Sequence, residues 1–156
     1  MTEQEITANW DYVADSVMGG VSQGQMTQEL VKGRLAHVLR GQVSLDNYGG
    51  FVQIATDLPD SISAEGWEGL ALDLTGNDES YDIRLRTTDL TRPWQSFRAE
   101  VVAGPDWATM RLPFTAFAAH RHDMRFDPQA LTRIGLLAIG RAFQADVAVA
   151  GLRFYR

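Results

Sequence analysis

The chain has 156 residues, of which 45% are hydrophobic and 22% charged, and this length fits one domain spanning residues 1–156. It contains no cysteine, which excludes a disulfide framework, a thiolate metal site and a cysteine nucleophile. With 14 basic against 20 acidic residues the formal net charge is −6, and without a basic stripe nucleic acid is not an expected partner.

The sequence indicates neither a membrane span nor a signal peptide. Its longest apolar runs, such as Ile134–Ile139, are far shorter than the ~18–20 residues that a membrane-spanning helix needs. Near the N-terminus, Glu3 and Glu5 stand where a signal peptide would carry basic residues. We therefore expect a cytoplasmic protein that does not insert into a membrane.

Short segments in which apolar and polar residues alternate run through the whole chain. Ile83 and Leu85, for example, stand between Asp82, Arg84 and Arg86, and this period of two predicts strands that bury one face. In chain order, the predicted strands are Asp11–Val13, Met26–Val31, Arg34–Leu39, Gln42–Leu45, Phe51–Asp57, Leu70–Thr75, Asp82–Thr88, Gln95–Val101, Ala108–Leu112, Ile134–Ile139 and Asp146–Tyr155.

Turn residues separate these strands, and helix is scarce. Val31-Lys32-Gly33-Arg34 is one such turn, because glycine supplies a positive φ at little cost. Short helical turns are predicted at Phe114–Ala118 and at Pro128–Thr132, where Asp127 can cap the first turn and Pro128 suits the first helical position. Many short, evenly spaced strands predict an all-β fold, a single-domain β-sandwich or jelly roll with very little helix.

Seven of the 14 glycines lie between Gly19 and Gly50, within two unusual segments and their surroundings. The first segment reads W-D-Y-V-A-D-S-V-M-G-G-V-S over residues 10–22, and the second reads V-S-L-D-N-Y-G-G-F over residues 43–51. Together they resemble the complex I intermediate-associated protein family, and S-Y-D-I-R-L-R at 80–86 and L-P-F-T-A-F at 112–117 extend the resemblance.

This resemblance implies a galactose-binding-like jelly-roll domain. The family is named for a mitochondrial factor in the assembly of respiratory complex I, so the resemblance implies an assembly-factor-like role and a respiratory-complex subunit or intermediate as a possible partner. Because the extensions of the mitochondrial proteins are missing, the chain resembles a bacterial, single-domain member.

The two glycine-rich segments supply the first set of candidate binding residues. Adjacent glycines permit positive φ and close backbone approach, and the short polar side chains among them can hydrogen-bond backbone amides. The segments are therefore either two turns packed together or the border of a ligand site. Their candidate residues are Asp15, Gly19, Gly20, Ser22, Asn47, Gly49 and Gly50.

Arg84 and Arg86 form the second set, because alternate residues of a strand point to the same side. If Asp73 lies on a neighbouring strand, that face combines acid and base. In related jelly-roll carbohydrate-binding modules the exposed concave face holds sugar on polar residues and an aromatic platform, and Trp94 with Gln95 would complete such a set here. A solvated face with weak ion pairs is the alternative.

Other chemistry finds little support in the sequence. His120, His122 and Asp123 include metal-ligating residue types, but His37 is the only further histidine, so an exposed loop is favoured over a metal site. No nucleophile elbow, phosphate loop, zinc-protease or dinucleotide motif is present. We therefore predict no metal and no cofactor.

Three functions stay open. The first is a non-catalytic binding or assembly-factor-like domain that presents both candidate sets to a partner protein or a small polar ligand. The second is a carbohydrate-binding module. The third is an enzyme acting on a small polar substrate, with Asp15 as base and the arginines as an anion clamp. A composite site requires that the glycine-rich segments and the arginine strand be adjacent.

Overall fold

A computed structural model describes residues 2–15, 19–46 and 50–156, whose strands form two antiparallel sheets around a shared core. Asn47 and Gly49, two of the candidate residues, lie outside the described residues. The strands are β1 (Glu3–Glu5), β2 (Asp11–Ala14), β3 (Gln23–Val31), β4 (Arg34–Val43), β5 (Phe51–Asp57), β6 (Gly69–Gly76), β7 (Glu79–Thr87), β8 (Ser96–Ala103), β9 (Ala108–Pro113), β10 (Ala118–His120), β11 (Leu131–Ile139) and β12 (Phe143–Tyr155).

The order of the strands defines a sandwich. The first sheet has the order β3-β4-β12-β6-β9, with β1 beside β12, and the second has the order β10-β8-β7-β11-β5-β2. The long strand β12 pairs with both β4 and β6, and its register with β6 shifts between Ala150 and Leu152 at a bulge. Gly151 lies at this bulge with a φ of +62°. The predicted all-β sandwich is confirmed.

The core follows from the alternation along the strands. Leu72 and Leu74 of β6 lie in one buried cluster with Ile83 and Leu85 of β7, on the opposite sheet. Fully burying each such side chain contributes roughly 1.5–3 kcal/mol. The polar residues between them in β7, among them Arg84, face outward, and this face carries the candidate site.

The β3–β4 hairpin confirms one predicted turn and changes one predicted boundary. Lys32 and Gly33 take φ values of +46° and +82°, the backbone of a tight two-residue hairpin turn. The predicted strand at 34–39 and the first two residues of the predicted strand at 42–45 form the single strand β4, because Gly41 lies in the ladder opposite Gly24 and not in a turn.

Three short elements of the structure are not expected in this form. The sequence does not predict β1 and β10, because three residues are too few to show a period of two. The predicted helix at 128–132 is one 3₁₀ turn, Pro128–Ala130, which ends where β11 begins. Asp127 does cap it, since its carboxylate accepts a hydrogen bond from the Gln129 amide.

Within the part of the chain that the structure describes, no helix is long and apolar enough to cross a membrane. The cytoplasmic location and the assignment of residues 1–156 to one domain stay predictions.

Candidate functional site

A groove of about 1000 Å³ lies on the outward face of the second sheet. Its floor consists of outward side chains from neighbouring strands that stand opposite each other in the ladder. Gln53 of β5 is opposite both Val13 of β2 and Leu137 of β11, and Arg133 of β11 is opposite Arg86 of β7. The groove therefore runs across at least four strands, with a mainly apolar end near Val13 and a polar end near Arg86.

Arg84 is held rigidly in the floor by a buried carboxylate. Its Nε and Nη2 atoms donate to Oδ2 of Asp82 at 2.9 and 2.7 Å, and its Nη1 reaches the Ser96 hydroxyl at 3.3 Å. Arg98 on β8 also donates to both oxygens of Asp82. Asp73, considered above as the acidic neighbour, belongs instead to β6 of the first sheet, so the acid beside Arg84 comes from its own strand.

Arg86 anchors the loop that borders the polar end of the groove. Its Nη1 atom lies 3.0, 2.8 and 2.9 Å from the carbonyl oxygens of Arg92, Pro93 and Gln95, to which it donates. Burial, together with the positive charge of Arg133, lowers the pKa of the Arg86 guanidinium. An arginine nevertheless stays charged at neutral pH.

The anchored loop presents Trp94 at the edge of the groove. The Gln95 side chain closes the loop by accepting hydrogen bonds from the amides of Thr91 and Arg92 at 3.2 and 3.1 Å. Trp94 is 58% exposed, which is unusual for a tryptophan. Its ring lies 6.0 Å from the Arg92 guanidinium and leaves a broad apolar surface at the groove.

Asp15 and Ser22 form a buried polar clamp that joins the two glycine-rich segments. Oδ1 of Asp15 accepts a hydrogen bond from the Ser22 amide at 3.1 Å. Oδ2 accepts from the Ser22 hydroxyl at 2.5 Å and from the amides of Gly50 and Phe51 at 2.6 and 3.3 Å. The Ser22 hydroxyl in turn accepts from the Ser44 amide at 2.8 Å.

The contacts of the clamp lower the pKa of Asp15 and leave no room for a side chain at position 20. Burial by itself would raise the pKa of Asp15, but the hydrogen bonds from Ser22, Gly50 and Phe51 outweigh it, so this pKa is lowered. A Cβ atom on Gly20 would lie 2.4 Å from Cγ of Asp15, so a side chain does not fit there. Asp15 itself is completely buried, and its carboxylate faces the protein.

The predicted residues therefore fall into two adjoining groups. Gly50, Arg84, Arg86 and Trp94 line one groove, whereas Asp15, Gly20 and Ser22 belong to the clamp. The groups meet at Gly50, which lines the groove and also donates its amide to Asp15. Gly19 lies in the turn before Gly20 with a φ of +88°, and the described contacts assign it to neither group.

Sequence reasoning missed several polar side chains of the groove, which are Gln53, Thr91, Ser96, His120, Arg121 and Arg133. In β5 the buried Val52 and Ile54 on either side of Gln53 contain the signal that its side chain faces outward. In β11 the signal for Arg133 is weaker, because only Ile134 beside it is a buried apolar residue. No comparable signal exists for His120 and Arg121, which lie at the end of the three-residue strand β10.

The histidines of this region are engaged within the protein. His122 contacts the Ser96 carbonyl through Nε2 at 2.8 Å and accepts from the Met124 amide through Nδ1 at 3.0 Å. Burial and then the charges of nearby arginines, Arg84 first, lower the pKa of His120. Over residues 2–15, 19–46 and 50–156 no group of three or more His, Asp or Glu side chains is arranged to hold a metal ion.

Comparison with known proteins gives both a family and a fold. The sequence matches the family described as complex I intermediate-associated protein 30 over residues 1–147. No curated protein matches it.

The solved structures that resemble this fold include carbohydrate-binding modules. A family 11 module from a cellulosomal cellulase of Clostridium thermocellum superposes with a TM-score of 0.80 and 12% identity, covering 99% of this chain and 94% of the module. A family 11 module of the same organism, in complex with a β-1,3-1,4-mixed-linked tetrasaccharide, has a TM-score of 0.77 and 13% identity over 98% and 95% of the two chains. A family 30 module from that organism has a TM-score of 0.64 and 13% identity over 99% and 97%. At such identities the likeness shows the fold alone, which is a jelly roll.

Proposed function

This chain belongs to the complex I intermediate-associated protein 30 family, and for it we propose a non-catalytic binding function in which the groove of the second sheet takes a saccharide chain. The observation that carries the proposal is the exposed ring of Trp94 at the edge of a groove whose floor includes hydrogen-bonding side chains. A sugar has an apolar face that can pack on an aromatic ring, while its hydroxyls can pair with amide and guanidinium groups.

The size and setting of the groove support this proposal. Its volume of about 1000 Å³ is at the upper end of the ~300–1,000 Å³ usual for ligand sites, which favours an extended ligand over a small metabolite. The jelly-roll modules that share the fold supply a precedent, since one of them is in complex with a tetrasaccharide.

A catalytic function has less support. The base considered for it, Asp15, is buried, and both of its carboxylate oxygens accept hydrogen bonds from Ser22, Gly50 and Phe51. Its lowered pKa also makes it a weak base.

The saccharide proposal is tested by titrating the protein calorimetrically with a panel of plant, algal and bacterial oligosaccharides. For any saccharide that binds, we expect Trp94→Ala to weaken the affinity at least about tenfold, or about 1.4 kcal/mol. Because Trp94 is exposed, its removal should leave the melting temperature nearly unchanged. Binding that Trp94→Ala does not weaken, or no binding anywhere in the panel, contradicts the proposal.

A partner protein is the second candidate function, and an exposed leucine pair favours it. Leu30 and Leu35 face each other across the β3–β4 hairpin and are 74% and 60% exposed. Leu35 lies on the same side of β4 as the buried Leu39, so this apolar surface continues the inner face of the sheet into solvent. Exposed apolar patches often mark protein contacts.

The saccharide function and the partner-protein function can be separated by testing the variant designed for each function in both assays. If a partner protein docks on the hairpin, Leu30→Gln with Leu35→Gln should abolish its cross-linking in a cell lysate, whereas Trp94→Ala should not. The leucine variant should in turn keep any saccharide affinity. A partner that cross-links equally well to the unmodified protein, to Trp94→Ala and to the leucine double variant excludes the hairpin as its docking surface.

A further inference from the structure

The charge of the groove is opposite to that of the whole chain. The sequence carries 20 acidic residues and a net charge of −6. Yet among the described residues that line the groove there is no Asp or Glu, while four are arginines: Arg84, Arg86, Arg121 and Arg133. We propose that the saccharide taken by the groove is an acidic one, whose carboxylate or sulfate groups are bound by Arg86 and Arg121; this inference rests on the proposed saccharide function.

Two of the four arginines already have carboxylate partners. Arg84 is paired with Asp82 at 2.7 Å, a carboxylate it shares with Arg98. Arg133 is paired with Asp57 at 2.8 Å. These two guanidiniums therefore already have a carboxylate partner within the protein.

Arg86 is held in place without being neutralised. Its three acceptors are backbone carbonyl oxygens, and they occupy only Nη1. Among the described residues no acceptor is hydrogen-bonded to its Nε or Nη2, and no carboxylate forms an ion pair with it. Arg133 stands directly opposite Arg86 in the ladder, so a like charge lies beside it. An anion in the groove would relieve this repulsion.

Arg121 is a second cation at the same end of the groove. It follows β10, takes a φ of +64°, and donates through Nε to His120 Nε2 at a long 3.4 Å. In the described part of the chain no carboxylate forms an ion pair with it. Its carbonyl oxygen accepts from Gln95, the residue that closes the Trp94 loop. Planar guanidiniums match the oxygens of carboxylates and sulfates, so the two arginines and Trp94 offer one acidic sugar both ion pairs and an apolar surface.

The test uses calorimetric titration with pairs of saccharides that differ in charge alone. Oligogalacturonate, oligoalginate and hyaluronan fragments are each compared with their carboxyl-reduced forms, and heparan fragments with forms that are both desulfated and carboxyl-reduced. We expect at least one acidic saccharide to bind about tenfold or more tightly than its neutral counterpart. This preference should shrink as the salt concentration rises from about 50 to about 500 mM, since salt screens exposed charges.

Variants then assign the preference to the two arginines. Arg121→Gln should weaken binding of the acidic form about fivefold or more while binding of the neutral form is little affected. Arg86→Gln should weaken the acidic form by at least as much, but it should also weaken the neutral form, because Arg86 anchors the loop that carries Trp94. Because Arg86 also anchors a loop, Arg121→Gln is the variant that separates charge from loop structure. Arg125→Gln, at an exposed position outside the groove, is the matched control and should bind as the unmodified protein does.

The outcomes distinguish this inference from the function on which it rests. If neutral saccharides bind as tightly as their acidic counterparts, the groove is a saccharide site but the acidic preference is wrong. An acidic preference that survives both Arg86→Gln and Arg121→Gln also overturns the assignment. If no saccharide of either kind binds, the proposed function fails and the inference fails with it.

Discussion

Asp15 shows how one buried carboxylate can join two distant segments of sequence. Its partners Ser22 and Gly50 lie 7 and 35 residues away along the chain. A carboxylate can accept several hydrogen bonds at once, and the pairing of charge with amide donors offsets the cost of burying it. Asp15 and Gly20 thus have a structural explanation, while Gly50 connects the clamp to the groove.

Replacing this carboxylate by an amide tests the clamp. Asp15→Asn keeps the shape of the side chain but places an NH₂ group against N–H or O–H donors of Ser22, Gly50 or Phe51. We expect a loss of about 3 kcal/mol in the free energy of unfolding, measured by urea denaturation at neutral pH. Asp11→Asn, at an exposed position of β2, the strand that ends just before Asp15, should change it by less than about 0.5 kcal/mol. Equal stabilities of the two variants would contradict the structural role.

At the scale of elements, the β3–β4 hairpin depends on a close approach between two glycines. Gly24 and Gly41 are directly opposite in the ladder. A Cβ atom on Gly41 would lie 2.5 Å from the Gln23 carbonyl oxygen and 2.7 Å from Cα of Gly24, both backbone atoms that cannot rotate away. The glycines therefore let the two strands pair more closely than side chains would allow.

Gly41→Ala should consequently destabilise the protein, although alanine normally suits a strand better than glycine does. We expect thermal unfolding to shift to a lower temperature by several degrees, corresponding to about 2 kcal/mol of overpacking. The matched control is Gly104→Ala, where the added Cβ would meet nothing closer than 3.8 Å. A melting temperature for Gly41→Ala equal to that of the control would show that the hairpin can adjust.

The same elements show how far the sequence predicts the fold and the site. The period of two in β7 is sufficient to place Ile83 and Leu85 in the core and Arg84 on the outer face. It does not say which strands become neighbours, because pairing is decided by the whole sandwich. For that reason the pattern allows Asp73 as a neighbour of Arg84, although Asp73 lies on the other sheet.

Contacts between distant loops are also beyond local pattern. Gln95 reaches the carbonyl of Arg121 across 26 residues, and no spacing in the sequence indicates this pairing. The sequence thus predicts that arginines and Trp94 share one face, but it does not predict that His120 and Arg121 border the same groove. Asn47 and Gly49 stay predictions, because they lie outside the described residues.

At the scale of the whole molecule, buried carboxylates on both sheets make stability depend on pH. Asp73, on the first sheet, accepts hydrogen bonds from Thr109 at 2.6 Å, Arg34 at 3.0 Å and Arg153 at 3.3 Å. Burial alone would raise the pKa of Asp73, but these hydrogen bonds outweigh it and lower this pKa. The hydrogen bonds of Asp15, which follows β2 of the second sheet, lower its pKa in the same way. Both groups therefore bind a proton more weakly when the chain is folded.

The sign of the pH dependence follows from these lowered pKa values. An unfolded Asp has a pKa of about 3.9, so the stabilisation from Asp15 and Asp73 is complete above about pH 4 and is lost as the pH falls through their lower folded values.

We expect the free energy of unfolding, measured by urea titration, to fall between about pH 4.5 and pH 2.5. In the double variant Asp15→Asn with Asp73→Asn, the free energy of unfolding should be lower at pH 4.5 and should depend less steeply on pH. The control Asp60→Asn, an exposed turn residue, should keep the unmodified slope. An equally steep curve in the double variant would mean that other carboxylates cause the acid sensitivity.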